Sequence, residues 1–339
     1  VSDVDVNDVI RNGGSVHVVI LNWRSAPMTL RAAEAAVTAM EGIPGTITLV
    51  DNDSGDGSFE AMTDHAQAQG WTEGDRLRVL QSGRNGGFGA GNNAALRVPP
   101  HHPADFVLVV NSDAFLAPDT IGAMRDYLQA HPRVGLLGCR VVGEHGNHHT
   151  THFRFPTAAG ELEDSARTGP LSKLLRGAVV TLPMPQQAGP VDWVAGAALM
   201  IRAEVLAEVG GFDEAFFLYY EETDLCLRAA RAGWPTHYLP DVHVVHIGSV
   251  STGMRGWTLP PDYWFASREQ YYRQNHGRAY AVLTLAAHLT GLAIRRLRGL
   301  MGRPDPNFPH GQGRALIRHA LAPSRPRQIF RPENDLDPA

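Results

Sequence analysis

Three apolar runs before residue 114 each break off at an asparagine or aspartate. Val16–Leu21 ends at Asn22, Thr46–Val50 at Asp51, and Phe106–Val110 at Asn111-Ser112-Asp113. Short continuous runs rich in β-branched residues are the pattern of strands buried on both faces of a parallel sheet. Leu77–Leu80 is a fourth. Between them lie stretches with helical spacing: Pro27–Met40, a segment ending near Gln69, and Pro118–Ala130. Strand alternating with helix predicts an α/β fold, a mostly parallel, doubly wound sheet flanked by helices. Ligands of such sheets bind beyond the carboxyl ends of the strands. Asn22, Asp51, Asn111 and Asp113 are therefore predicted to meet at one site.

The rest of the chain sorts by composition and periodicity. Val134–Val142 reads as a strand, and 143–190, rich in His, Gly, Pro and Thr, as an irregular insertion or lid. A strand is predicted over Val191–Ile201, helices from Ala203 and over Glu221–Ala232, and short strands to Val245. This divides the chain into a disordered segment 1–14, a catalytic domain 15–255, a helical region 256–302 and a Pro- and Arg-rich tail 303–339. With 339 residues and 43% hydrophobic side chains, a full core is available. The net charge of −5 lacks the basic footprint of nucleic-acid binding. Cys139 and Cys226 are too few for a disulfide scaffold and read as core thiols. Val1–Gly14 has neither basic nor apolar leader character, and no apolar run reaches the roughly 20 residues of a spanning helix. A cytoplasmic protein is expected.

Five segments carry candidate chemistry. Asp51 opens an Asx-rich stretch that, taken alone, reads as a turn and helix cap. Asn85-Gly86-Gly87-Phe88-Gly89-Ala90-Gly91-Asn92-Asn93 lets backbone approach a ligand and aims a helix N-terminus at an anion. It has neither the Lys-Ser/Thr ending of a P-loop nor the position of a dinucleotide fingerprint. Asp113 offers the oxygen ligand that a hard dication requires. Glu221, Glu222 and Asp224 follow the aromatic run Phe216–Tyr220. An aromatic wall raises a carboxyl pKa, as a general base requires. His243 and His246 fall on opposite faces of a strand, so one of them can reach the site. His101, His102, His145, His148, His149 and His152 read as solvated loop residues, with zinc binding by the last four a lesser option.

In order and spacing these segments, together with Val16–Trp23 and Gly210–Arg228, resemble glycosyltransferase family 2, and within it the bacterial rhamnosyltransferase-like branch. The resemblance spans about residues 15–255. It implies a GT-A fold, Rossmann-like, and an inverting single displacement from a nucleotide-diphosphate sugar (dTDP-, UDP- or GDP-linked, with dTDP-rhamnose first). By the resemblance, Asn22, Asp51, Asn85, Gly86, Gly87, Asn111, Ser112, Trp193 and Gly196 bind the donor. Asp113 takes the place of the last acid of the family's Asp-x-Asp motif and, with His246, holds Mg²⁺ or Mn²⁺. Glu222 stands at the family's general-base aspartate, with Glu221 and Asp224 as alternatives. The implied acceptor is a glycan, a polyprenyl-linked glycan or a small molecule.

Beyond Asp262 the sequence mixes aromatic residues with Arg273 and Arg278, then runs through apolar Ala281–Leu292 to Arg295, Arg296 and Arg298. Such a helix suits the inner membrane surface, or packing on the catalytic domain or a second copy of the chain. Two rivals share the fold: a nucleotidyltransferase, disfavoured because Asn22–Pro27 lacks glycine, and an inactive carbohydrate-binding protein, favoured by Asn111 and Glu222 at acid positions.

Overall fold

A computed structural model describes residues 14–98, 100, 103–248, 257–302 and 305–331. The expected disordered segment 1–14, apart from Gly14, lies outside these residues, as do His101, His102 and positions 303–304 and 332–339 of the expected tail. In chain order the strands are β1 (Val16–Asn22), β2 (Gly45–Asp51), β3 (Leu77–Gln81), β4 (Phe106–Asn111), β5 (Ala114–Leu116), β6 (Leu136–Val142), β7 (His148–His149), β8 (His152–Phe153), β9 (Gly189–Val191), β10 (Trp193–Val194), β11 (Ala198–Arg202) and β12 (Thr236–His246). The helices are α1 (Ala26–Ala39), α2 (Ser58–Ala68), α3 (Phe88–Arg97), α4 (Thr120–Ala130), α5 (Ala158–Ala166), α6 (Gly169–Leu174), α7 (Ala203–Val209), α8 (Glu221–Arg231), α9 (Asp262–His276), α10 (Arg278–Leu300) and α11 (Gln312–Leu321).

The main sheet runs β3-β2-β1-β4-β11-β6-β12-β5. Its first four strands are parallel, as predicted. The other half is not: β11 lies antiparallel between β4 and β6, and β12 is parallel to β6 but antiparallel to β5. The sheet is thus mixed rather than mostly parallel. Residues alternate between two cores, as a pleat requires. Val16, Val18 and Ile20 pack with Ala32, Ala33 and Ala36 of α1 on one face, and Val19, Val50 and Val107 lie in the core on the other.

The predicted strand Val191–Ile201 is three pieces, β9, β10 and β11, with β10 leaving the main sheet to pair with β8. The 143–190 insertion is partly helical. Its α5 lies so close to α10 that a Cβ on Gly291 would stand 2.0 Å from Ser165 Oγ. The tail also folds back: Ala315 and Leu316 of α11 pack with Phe265, and Phe330 is buried, its carbonyl accepting the Gly211 N–H at 2.9 Å. Cys139 and Cys226 are free, buried thiols, as expected.

Candidate active site

A cavity of about 1030 Å³ opens at the carboxyl ends of the parallel strands, lined there by Leu21, Asn52 and Asn111, and extends to Glu161 of α5 and His288 of α10. At the sheet end, β12 runs antiparallel to β5, which sets His246 opposite Ala114 and hence beside Asp113. His246 Nε2 lies 3.0 Å from Asp113 Oδ1 and 3.4 Å from the Asn111 amide nitrogen. One carboxylate oxygen and one imidazole nitrogen at a common point fit a dication that keeps other positions for phosphate oxygens and water. Among the described residues no group of three or more His, Cys, Asp or Glu side chains is placed to hold a metal. That removes the zinc option for His145, His148, His149 and His152. Nor are all of these solvated: His152 is buried against Tyr238, and His149 lines the cavity.

The carboxylates reach the cavity through a strained turn. Tyr219 and Tyr220 both have φ of 68°, a left-handed conformation that non-glycine residues adopt at a cost of about 1–3 kcal/mol each. The turn starts α8 so that Glu221 and Glu222 line the cavity. Glu222 Oε1 accepts the Gly196 N–H at 3.0 Å, while the buried Glu221 Oε2 has no partner among the described residues. Burial raises both pKa values, that of Glu221 well above the carboxylate range because the Glu222 charge adds to desolvation. The Gly196 hydrogen bond favours ionised Glu222, so Glu222 is the carboxylate of the pair that ionises first. Asp224 is not a candidate base. It faces away from the cavity, its Oδ2 bonded to Arg228 at 2.7 Å and its Oδ1 accepting from Gln274 and Asn275.

Beneath the cavity, Asn22 and Asp51 lock two strand ends together. Asn22 donates to Asp51 Oδ1 at 2.7 Å, Ser54 donates to the same oxygen at 2.5 Å, and both Asn22 and Asp51 are buried. They do not line the cavity. The neighbouring Asn52 does, donating to Asn85 Oδ1 at 3.1 Å. Sequence reasoning missed Asn52, although pleat alternation puts it on the face opposite Asp51. Asn85 and Gly87 line the cavity and Gly86 does not. Gly87 has φ of 90°, and a Cβ there would stand 1.8 Å from the Phe217 carbonyl oxygen, the acceptor for the Phe88 N–H. The glycine-rich segment is therefore seated against the aromatic run. Ser112, Trp193 and Gly196 also line the cavity, Trp193 stacking on Phe153 at 4.4 Å.

The mixed sheet flanked by helices, with a cavity at its strand ends, is the architecture of GT-A glycosyltransferases. The chain belongs to the family described as Glycosyltransferase like family 2, whose profile it matches over residues 13–277. It is a glycosyltransferase. It is 29% identical over 261 residues to the N-acetylglucosaminyl-diphospho-decaprenol L-rhamnosyltransferase of Mycobacterium tuberculosis, covering 70% of this chain and 77% of that one. It is 28% identical over 165 residues to the rhamnosyltransferase WbbL of Escherichia coli, covering 47% and 60%. Among solved structures, it resembles the mannosyltransferase PcManGT of Pyrobaculum calidifontis in complex with GDP-Man and Mn²⁺. That match has a TM-score of 0.51, 17% identity, and covers 91% of this chain and 86% of that one. At this identity the likeness concerns the fold.

Proposed function

We propose that the protein transfers L-rhamnose from dTDP-rhamnose to a hydroxyl of a polyprenyl-diphosphate-linked glycan, with inversion, in cell-wall or polysaccharide assembly. The observation that carries this reading is the sharing of one cavity by the Asp113–His246 pair and the Glu221–Glu222 pair. Asp113 and His246 are the residues to hold Mg²⁺ or Mn²⁺, which when bound neutralises charge on the departing diphosphate. Asn52, Asn85 and the Gly87 backbone supply polar contacts for the nucleotide end. Glu222, held by Gly196, takes the proton of the attacking acceptor hydroxyl. The names of the mycobacterial and enterobacterial relatives support rhamnose as the sugar, and the first of them supports a lipid diphosphate acceptor. Thermal unfolding with dTDP, UDP and GDP, with and without Mn²⁺, tests the donor. The matching nucleotide at about 100 times its Kd is expected to stabilise by roughly 2.7 kcal/mol, and equal shifts for all three would remove the dTDP assignment.

A lipid-linked acceptor calls for a membrane-facing surface, and the exposed apolar residues of α10 support one there. Val282, Leu283, Leu297 and Leu300 recur on one side of the helix at 53–78% exposure, with Arg296 also exposed. Arg295 is turned inward, bonded to Asp305 at 2.6 Å. Among the described residues no helix is long and apolar enough to cross a membrane. A helix with one apolar exposed side and flanking arginine lies in the headgroup layer instead. Truncation at Asp262 would remove the buried Arg268, Tyr271 and Tyr272, so surface substitution is the cleaner test. Leu283→Asp with Leu297→Asp is expected to weaken sedimentation with anionic liposomes by about tenfold or more and to leave dTDP binding intact. Unchanged sedimentation would rule this surface out.

A further inference from the structure

At the end of the cavity away from the Asp113–His246 pair, three helices bring polar groups together. Glu161 of α5 accepts from Tyr272 OH of α9 at 2.7 Å and from Arg268 Nε of α9 at 3.0 Å. Its second oxygen lies 2.5 Å from His288 Nδ1 of α10. Burial alone would raise the Glu161 pKa, but the Arg268 guanidinium and the His288 hydrogen bond outweigh it and hold it down to about 2, so the carboxylate is charged. The charged carboxylate accepts a hydrogen bond from the Nδ1–H of His288, which leaves Nε2 as the ring nitrogen not engaged by Glu161. His288 is 3% exposed and lines the cavity, and its Nε2 has no hydrogen-bond partner among the described residues.

We propose that His288 Nε2 is a specificity contact for the acceptor, forming a hydrogen bond with a hydroxyl of the acceptor sugar at the α5–α10 end of the cavity. This rests on the transferase reading above and names the residue that selects its second substrate. A latch between helices needs only the Glu161–Arg268 pair. A buried imidazole nitrogen left without a partner costs free energy that an apolar side chain would not. Asp164 stands on the same wall, and the Arg268 charge is already matched by Glu161. No unmatched Arg268 charge is left there for a phosphate, which suits the hydroxyls of the acceptor sugar rather than its diphosphate. Tyr220 and Trp264, ring centroids 6.1 Å apart, give the aromatic surface on which a sugar face packs. The cavity volume of about 1030 Å³ is at the top of the range for a single ligand, roughly 300–1,000 Å³.

Two variants separate the contact from the latch. His288→Asn keeps a donor near the Nδ1 position for Glu161 and removes Nε2, whereas His288→Gln keeps a polar atom near Nε2. The probe is methyl N-acetylglucosaminide, titrated by saturation-transfer NMR, with dTDP titrated in parallel by calorimetry. His288→Asn is expected to weaken the glycoside by about tenfold and change dTDP affinity by less than about twofold, with His288→Gln close to wild type for both. Equal glycoside affinity in wild type and His288→Asn overturns the inference, as does a wild type that does not bind the glycoside. The dTDP titration judges the donor reading separately, since its failure would leave the glycoside comparison standing.

Discussion

Glu222→Gln is expected to lower sugar transfer by about 10²–10⁴-fold, the usual contribution of a positioned general base, while leaving nucleotide binding unchanged. The amide oxygen of Gln can still accept the Gly196 N–H, now at 3.0 Å, so the side chain keeps its place and loses only its basicity. Transfer by the unaltered enzyme should increase with pH along a limb displaced above the ordinary carboxylate range, because burial disfavours the ionised form that catalysis uses. That limb disappears in the variant. Stability moves the opposite way. A carboxyl whose folded pKa is raised contributes stability fully present below its unfolded pKa and lost as pH rises through the folded one. Both Glu221→Gln and Glu222→Gln should therefore unfold at higher temperature than the parent at neutral pH, and only the second should lose turnover. Full activity in Glu222→Gln, with loss in Glu221→Gln, would move the base by one residue.

Local signals made the parallel half of the sheet legible. Val16–Leu21, Thr46–Val50 and Phe106–Val110 are continuous apolar runs, the pattern of strands covered on both faces, and the polar end of the third, Asn111–Asp113, marked the rim of the site. Strand direction beyond β4 was not legible, because whether β11 runs parallel or antiparallel depends on a return path that local pattern does not encode. The glutamates were visible as residues but not as a pair in the cavity: that placement depends on two left-handed tyrosines, and nothing in the composition of Phe216–Tyr220 predicts positive φ. Asp51 shows the opposite failure. Its position at a strand end was right, but Asn22 and Ser54 take up its oxygens, and the neighbouring Asn52 faces the cavity instead. Glu161 and His288 are 127 residues apart, and only the packing of α5 on α10 makes them neighbours.

Asp113→Asn is the substitution expected to act most strongly on the donor. Asn has nearly the same shape as Asp, so the β4–β5 connection and the backbone bond from Ile247 N to the Asp113 carbonyl at 3.1 Å should persist. What is lost is the negative charge beside His246, and with it most of the attraction for a dication there. Among the described residues no third acidic or histidine ligand stands ready to replace it, so the variant's Mn²⁺-dependent dTDP affinity should fall by on the order of 100-fold. Binding of dTDP in EDTA should be nearly the same in both proteins, since Asn52, Asn85 and the Gly87 backbone are untouched. The comparison isolates the metal: chelation should bring the parent protein down to the level of the variant and cost the variant little further. If EDTA weakens both proteins equally, Asp113 is not a metal ligand. If it weakens neither, the Asp113–His246 pair serves the diphosphate directly, as one hydrogen-bonded acid–imidazole unit.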